Sequence, residues 1–346
     1  MRSTRDIREL RAELTCAGVF EPDTTYAWAK FALVLAVLAG LLWAAVTLPW
    51  WGTLVALPLA AIFAATAAMT GHEAAHGAFS SSKRENELVL HLAFPLFCGL
   101  GVLHWKNKHN VRHHGHPNVI GKDNDLNVWP MASSSVEYAG SGPFRRWIQR
   151  NFQGYLFWPL TLFLGFVMRT DSWAYNIAYV RQRGVDRAWL ADVSCQIIHY
   201  TLWLVVPSIL FGVVPVVLLY VGLWGIVGVL LAMIFAPAHM GMPIVTDPED
   251  GWVQQLDGTR NLVMPRWMSW FFVGLDYQVE HHLFPRIPHR RLPRARAILR
   301  AWCERTGMPH HEIGYGAALR DVTRFMFVSW KLDPIPTVAP TTSAAA

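Results

Sequence analysis

Residues 29–71 read AKFALVLAVLAGLLWAAVTLPWWGTLVALPLAAIFAATAAMTG, and Lys30 is the one charged side chain among them. The run is too long for a single membrane helix, which takes roughly 20 apolar residues. Pro49-Trp50-Trp51-Gly52 interrupts it, and turn residues beside aromatic rings suit the edge of a bilayer. Two spans are expected, at about 29–48 and 51–70. A second run behaves alike: no Asp, Glu, Lys or Arg occurs from Ser194 to Thr246, and Phe211-Gly212-Val213-Val214-Pro215 divides it. Its spans are expected at about 194–212 and 215–237.

Composition agrees. Of 346 residues, 53% are hydrophobic and 16% charged, with 17 Trp, the balance of a membrane protein. The Lys and Arg residues lie in the N-terminus, in 77–193 and in the C-terminal third, while both inter-span turns lack charge. By the positive-inside rule the three polar parts are cytoplasmic. The expected fold is an all-α integral membrane protein of the cell inner membrane, with four transmembrane helices as two hairpins. A cytoplasmic helical cap carries the site, and both termini are cytoplasmic.

The corresponding layout is an N-terminal cytoplasmic helix in 1–28, a four-span domain in 29–300, a C-terminal cytoplasmic helical region in 301–332 and a disordered tail in 333–346. Ser3 to Leu14 reads as an amphipathic helix, and no cleavable signal is expected ahead of it. Leu88–Leu103 and Tyr155–Val167 are apolar but short, so they are expected to lie in or dip into the interface. Net charge is +6, with six arginines between Arg286 and Arg300; such a face suits anionic lipid or an acidic protein, not nucleic acid. Cys16, Cys98, Cys195 and Cys303 stand apart, without CxxC spacing, and suggest neither disulfides nor a zinc knuckle.

The chemistry lies in histidines. His72 and His76 are spaced i, i+4 where the second span ends; His109 and His113 repeat the spacing, with His114 adjacent; His239 closes the fourth span; His281 and His282 follow Gln278 at i+3 and i+4. On a helix these spacings place imidazoles on one face, and the topology brings every cluster to one side of the membrane. Imidazole is the commonest metal ligand, and this many ligands exceed the needs of one four-coordinate ion, so two metals are expected. His91, His104, His199, His289, His310 and His311 are isolated and read as ordinary satisfied residues; His116 is close to a cluster but out of its spacing.

The segments Gly71-His72-Glu73-Ala74-Ala75-His76-Gly77, Lys108-His109-Asn110-Val111-Arg112-His113-His114 and Asp276-Tyr277-Gln278-Val279-Glu280-His281-His282-Leu283-Phe284-Pro285 resemble the three histidine boxes of membrane fatty-acid desaturases. The likeness extends through Pro117-Asn118 and Asp123 and through Ala236 to Pro243. It implies a non-haem di-iron centre held by His72, His76, His109, His113, His114, His239, His281 and His282, with dioxygen as co-substrate. It further implies a reaction in which electrons and dioxygen generate an oxidant that removes two hydrogens from adjacent methylenes of an acyl chain. Gln278, Asn110, Glu73, Glu280 and Asp276 are expected around the ligands, with Glu73 and Glu280 orienting imidazoles.

Departures from the family pattern bear on outcome. Gln278 stands where a further histidine often does. Asn is expected in place of Ala238, and a Gly-Gly followed by Asn in place of Val273-Gly274-Leu275-Asp276. Partners expected are an acyl group linked to coenzyme A, carrier protein or lipid, the surrounding membrane lipids, and an external donor such as ferredoxin with its reductase. The chain carries no GxGxxG or CxxC signature of its own for electron supply. Hydroxylation or acetylenation remains open on the same scaffold. So does a remote alternative, an intramembrane zinc metalloprotease reading of His72-Glu73-Ala74-Ala75-His76 with Asp257 as third ligand. A metal carrier would want polar residues along the spans, which are apolar apart from residues such as His199.

Overall fold

The computed structural model describes residues 4–247 and 251–335; most of the expected tail, from residue 336, lies outside them. The protein is mostly helical, and four helices are long and apolar enough to cross a membrane: Thr24–Thr47, Trp50–Ala75, Arg187–Phe211 and Val213–His239. We call them the first to fourth spans. They run beyond the apolar stretches because capping, rather than loss of apolarity, stops a helix. Asp23 accepts from the Tyr26 amide at 3.2 Å, and Asp186 from the Trp189 amide at 2.8 Å. Pro49 precedes the second span, and Gly212, at φ +87°, separates the third from the fourth. Trp50, Ile209 and Leu210 are among the exposed apolar side chains, as lipid-facing surfaces require.

Between the second and third spans the chain makes a bent pair. Lys83–Cys98 and Val102–His113 meet at 111°, and the break falls at Gly99, which takes a left-handed φ of +69°. This bend occupies the region expected to dip. Its first arm packs against the second span at Gly71, where a Cβ would come within 2.6 Å of the Ala93 side chain. The second arm begins under Asp192, a fully buried carboxylate that accepts the Val102 and Leu103 amides at 2.8 and 3.2 Å.

A second break, at Thr161–Phe163, precedes the Leu164–Arg183 helix and lies against the fourth span at Gly228. A Cβ there would sit 2.4 Å from the Thr161 carbonyl oxygen. Broken helices at membrane depth need donors for their free carbonyls. Arg169 reaches the first break: its Nε donates to the Cys98 carbonyl at 2.7 Å, while an Nη lies 3.3 Å from the Gly165 carbonyl of its own helix and the guanidinium 4.2 Å above the Trp224 ring.

The remaining segments pack together beside the histidine-bearing helix ends. The Thr4–Cys16 helix buries Leu10 and Leu14 in a cluster with Leu299 and Trp302 of the Leu292–Thr306 helix. Tyr315–Val328 packs on Gln153–Leu160. Strands Asn261–Val263 and Glu312–Gly314 pair in parallel with Asn261 opposite Glu312.

Candidate metal centre

The eight clustered histidines fall into two main groups, and His109, His113 and Asp125 form a further set of mutually close donor atoms that bridges them. One nitrogen from each of His72, His76, His109, His114 and His281 lies within 4.8 Å of the others, and the same holds among His113, His239 and His282. Local winding explains how three residues of the second box reach the site. Lys106–His113 is a π-helix, and the His114 amide bonds back to the His109 carbonyl at 2.9 Å. In an α-helix neighbours are about 100° apart, so His114 would point away from His109. The wider i→i+5 turn returns it to that face, and the two rings lie 4.7 Å apart.

The groups share a seam. His113 and His114, adjacent in sequence, belong to different groups, as do His281 and His282. The His114 and His282 rings stack across the seam at 4.3 Å and 16°. Within the first group His72 Nε2 and His109 Nε2 are 2.8 Å apart, and His114 Nε2 is 3.2 Å from the same His109 nitrogen. One proton can bridge one such pair; three converging lone pairs call for a cation. His76, His281 and His282 each have a buried Nε2 without a hydrogen-bond partner, as have His114 and His239 at Nδ1 and Gln278 at Oε1. Buried polar atoms are nearly always paired, so this cluster of unpaired donor atoms fits a metal-binding site. Burial favours the neutral, ligating form at four of these imidazoles: His76 is pushed down to about 3, and His114, His281 and His282 well below the usual histidine range; at His113 burial is outweighed by the Asp123 and Asp125 carboxylates, which raise it.

The surroundings of the two groups differ. Trp105 stacks on His109 at 4.4 Å and 24°, and Phe235 lies edge-on to His72 at 5.9 Å. His113 Nδ1 donates to the buried Asp123 carboxylate at 3.1 Å, and Asp125 approaches the same nitrogen at 3.5 Å. His282 Nδ1 bonds to Gln255 Oε1 at 2.9 Å, and the Gln278 amide reaches His239 Nε2 at 2.9 Å.

Several expected neighbours point elsewhere. Glu73 accepts from the His289 amide and from His289 Nδ1, both at 2.8 Å, and Lys30 Nζ lies 3.3 Å from His289 Nε2. Glu280 pairs with His310 at 3.1 Å and accepts from Asn261 at 2.8 Å. The imidazoles these two glutamates contact are therefore His289 and His310, which the sequence left as isolated residues. On a helix the residue beside a ligand faces about 100° away from it. Asn110 donates to the Ala75 carbonyl at 3.0 Å. Asp276 is buried, and that burial raises its carboxyl to about 6. Gln255 was missed, because the 251–260 stretch has no periodicity to mark it; a donor-rich segment linking the fourth span to the third box was the available signal.

A narrow cavity of about 40 Å³ adjoins the first group, with Met69, Trp105, Leu231 and Phe235 in its walls and Arg169 and Trp224 farther along. Trp224, Val227, Leu231 and Phe235 recur at helical spacing along one face of the fourth span.

The family model described as "Fatty acid desaturase" matches residues 48–314. The chain is 26% identical to an acyl-lipid (8-3)-desaturase of Thraustochytrium sp over 326 residues, which is 91% of this chain and 72% of the relative. It is 26% identical to the Delta(8)-fatty-acid desaturase 2 of Arabidopsis thaliana over 336 residues, 91% of this chain and 72% of the relative. It is also 27% identical to an sn-1 linoleoyl-lipid 6-desaturase of Synechocystis over 281 residues, 73% of each chain. A two-histidine protease site would have no use for the other six histidines gathered around His72 and His76. With its histidine boxes folded together beside the ends of the second and fourth of four membrane-length helices, this chain belongs to the membrane fatty acid desaturase family and is a fatty-acid desaturase.

Proposed function

We propose that the two histidine groups hold two non-haem irons, and that the protein uses them to insert a C=C bond into an acyl chain at the expense of dioxygen. His72, His76, His109, His114 and His281 hold one iron; His113, His239 and His282 hold the other, with Gln278 at its edge. The observation that carries this reading is the set of unpaired, buried ring nitrogens. Neutral imidazole suits iron as well as zinc or copper; the oxidative chemistry of the family selects iron. With iron bound, the centre supplies the oxidant that breaks an unactivated C–H bond, which side-chain acid–base chemistry cannot do. The balance is two hydrogens from neighbouring methylenes, one dioxygen, two electrons and two protons, giving one alkene and two waters.

The chain's own groups set the conditions. Trp105 and Phe235 exclude water from the His72 and His109 side. Asp123 and Gln255 keep the protons of His113 and His282 on Nδ1, leaving Nε2 free. The face from Phe235 to Trp224 is the route assigned to the acyl chain. Two relatives are named for lipid-linked substrates, which favours an acyl-lipid over a soluble thioester. Electrons come from an external carrier such as ferredoxin with its reductase, met on the cytoplasmic side of the inner membrane, where the cap and both termini lie.

The test is acyl profiling by mass spectrometry of cells expressing the wild type, His113→Ala or His282→Ala, with iron measured in each purified protein. A new unsaturated species in the wild type alone, with iron lost from both variants, is the expected result. A hydroxylated or acetylenic product would assign the same scaffold to the corresponding reaction. An unchanged profile would sink the proposal.

A further inference from the structure

Residues 254–262 are bonded to the second histidine box, to the end of the fourth span and to the third box. Gln254 Nε2 donates to the Pro117 carbonyl at 2.9 Å, and Asn118 Nδ2 donates to the Gly258 carbonyl at 3.1 Å. The Arg260 amide and Nε reach the Ala238 and Pro237 carbonyls beside His239 at 3.1 and 2.8 Å. Asn261 Oδ1 accepts from the Val279 amide at 2.9 Å. In this buried segment the Gln255 side chain touches a clustered imidazole.

Gln255 is bonded at both ends. Its Nε2 donates to the His114 carbonyl oxygen at 2.6 Å, and its Oε1 meets His282 Nδ1 at 2.9 Å. The first bond fixes the second. A backbone carbonyl only accepts, so the amide NH₂ must face His114 and the amide oxygen must face His282. An amide oxygen also only accepts, so His282 must carry its proton on Nδ1. Its lone pair then sits on Nε2, the buried nitrogen without a partner.

We infer that Gln255 is a positioning residue of the desaturase centre: it sets the His282 tautomer and fixes the third histidine box against the second across the seam between the two groups. The inference rests on the di-iron reading above. Asp123 does for His113 with a carboxylate what Gln255 does for His282 with a neutral amide, so both assigned supports act on the three-histidine group. Loss of a ligand's hydrogen-bond partner typically lowers metal affinity about 10–100-fold. The larger effect of losing Gln255 falls on the iron held by His113, His239 and His282, because the bond to the His114 carbonyl touches no ring nitrogen of the other group.

The experiment is anaerobic Fe(II) titration of the full-length protein in detergent, with Mössbauer spectra of each loaded form. Three proteins are compared: wild type, Gln255→Met, which keeps the length and removes both bonds, and Gln254→Met. Gln254 is equally buried and bonds only the Pro117 carbonyl. The expected result is two irons in the wild type and in Gln254→Met. In Gln255→Met, one iron keeps wild-type affinity, the other binds about 10–100-fold more weakly, and one of two quadrupole doublets changes. In the His282→Ala background, Gln255→Met should add no further loss, because its target is gone.

Wild-type affinity for both irons in Gln255→Met overturns the inference, as does equal weakening of both irons or the same loss in Gln254→Met. A wild type that binds no iron overturns the di-iron reading itself. Should Gln255→Met not yield folded protein, Gln255→Asn, too short to span both partners, is held to the same outcomes.

Discussion

The five-histidine group and the three-histidine group use one residue type in two kinds of neighbourhood. The first is packed by rings: Trp105 stacks on His109, Phe235 abuts His72, and histidine rings lie against one another at 4.5–5.4 Å around His76. The second is held by hydrogen bonds donated to Asp123 and Gln255 and accepted from Gln278. On the proposed di-iron reading, five imidazoles would come close to completing a coordination shell, whereas three would leave room for the amide of Gln278 and for reactants. The boxes do not divide along the same line. Two adjacent pairs, His113-His114 and His281-His282, each send one ring to either group, so each of these boxes serves both groups.

This comparison can be broken most sharply at the ligands. His282→Ala and His281→Ala differ by one residue in sequence and remove support from different groups; each should lower product in the acyl profile by more than about 100-fold, beyond the cost of losing an outer partner. A chelator time course on the wild type should be biphasic, with the weaker iron lost first. His281→Ala should weaken the slow phase, and His282→Ala should abolish the fast one. Equal effects of the two variants on both phases would mean that the groups do not act as separate sites.

Asp123→Asn tests the polar side. The carboxylate accepts from His113 Nδ1 and from the Asn118 and Asp125 amides. Its replacement should cost about 10–100-fold in affinity for the three-histidine iron, measured by Fe(II) titration, and leave the five-histidine iron in place. Trp105→Ala tests the ring-packed side. Deleting a buried Trp costs about 3–5 kcal/mol, to be read as a lowered unfolding midpoint, and iron loss should begin at the five-histidine group.

The smallest expected effect is at Val273, which leads into the third box. Val273 takes φ +51°, and Gly274 follows at +81°. A β-branched residue is strained there, by about 1–2 kcal/mol. Val273→Gly relieves that strain but removes a side chain buried in the core, worth about 1.5–3 kcal/mol, so the expected net change is a loss of about 1 kcal/mol, read as a slightly lower unfolding midpoint with both iron affinities unchanged. The family pattern expects glycine near this position, and the backbone gives the physical reason for that preference.

The spans were legible because a charge-free run longer than one helix admits few readings. The clustered histidines were legible because spacing on a helix survives into three dimensions. What the sequence hid depends on winding and on distant partners. The π-turn that brings His114 beside His109 has no composition that marks it off from an α-helix. Glu73 and Glu280 looked like supports for their neighbours in the boxes, yet they hold His289 and His310, which are 216 and 30 residues away. Gln255 acts on histidines 141 and 27 residues away, in a segment without periodic pattern. Only the fold brings such pairs together.

Arg169 also imposes an order in time. The Cys98 carbonyl is synthesised 71 residues before the guanidinium that satisfies it. At roughly 5–20 residues per second, that is a delay of about 4–14 s in which the first bend has no permanent donor. Trp224, on which the guanidinium rests, arrives later still. The bent pair that carries the second histidine box therefore cannot reach its final shape as it leaves the ribosome. It is completed from behind, when the last span is in place.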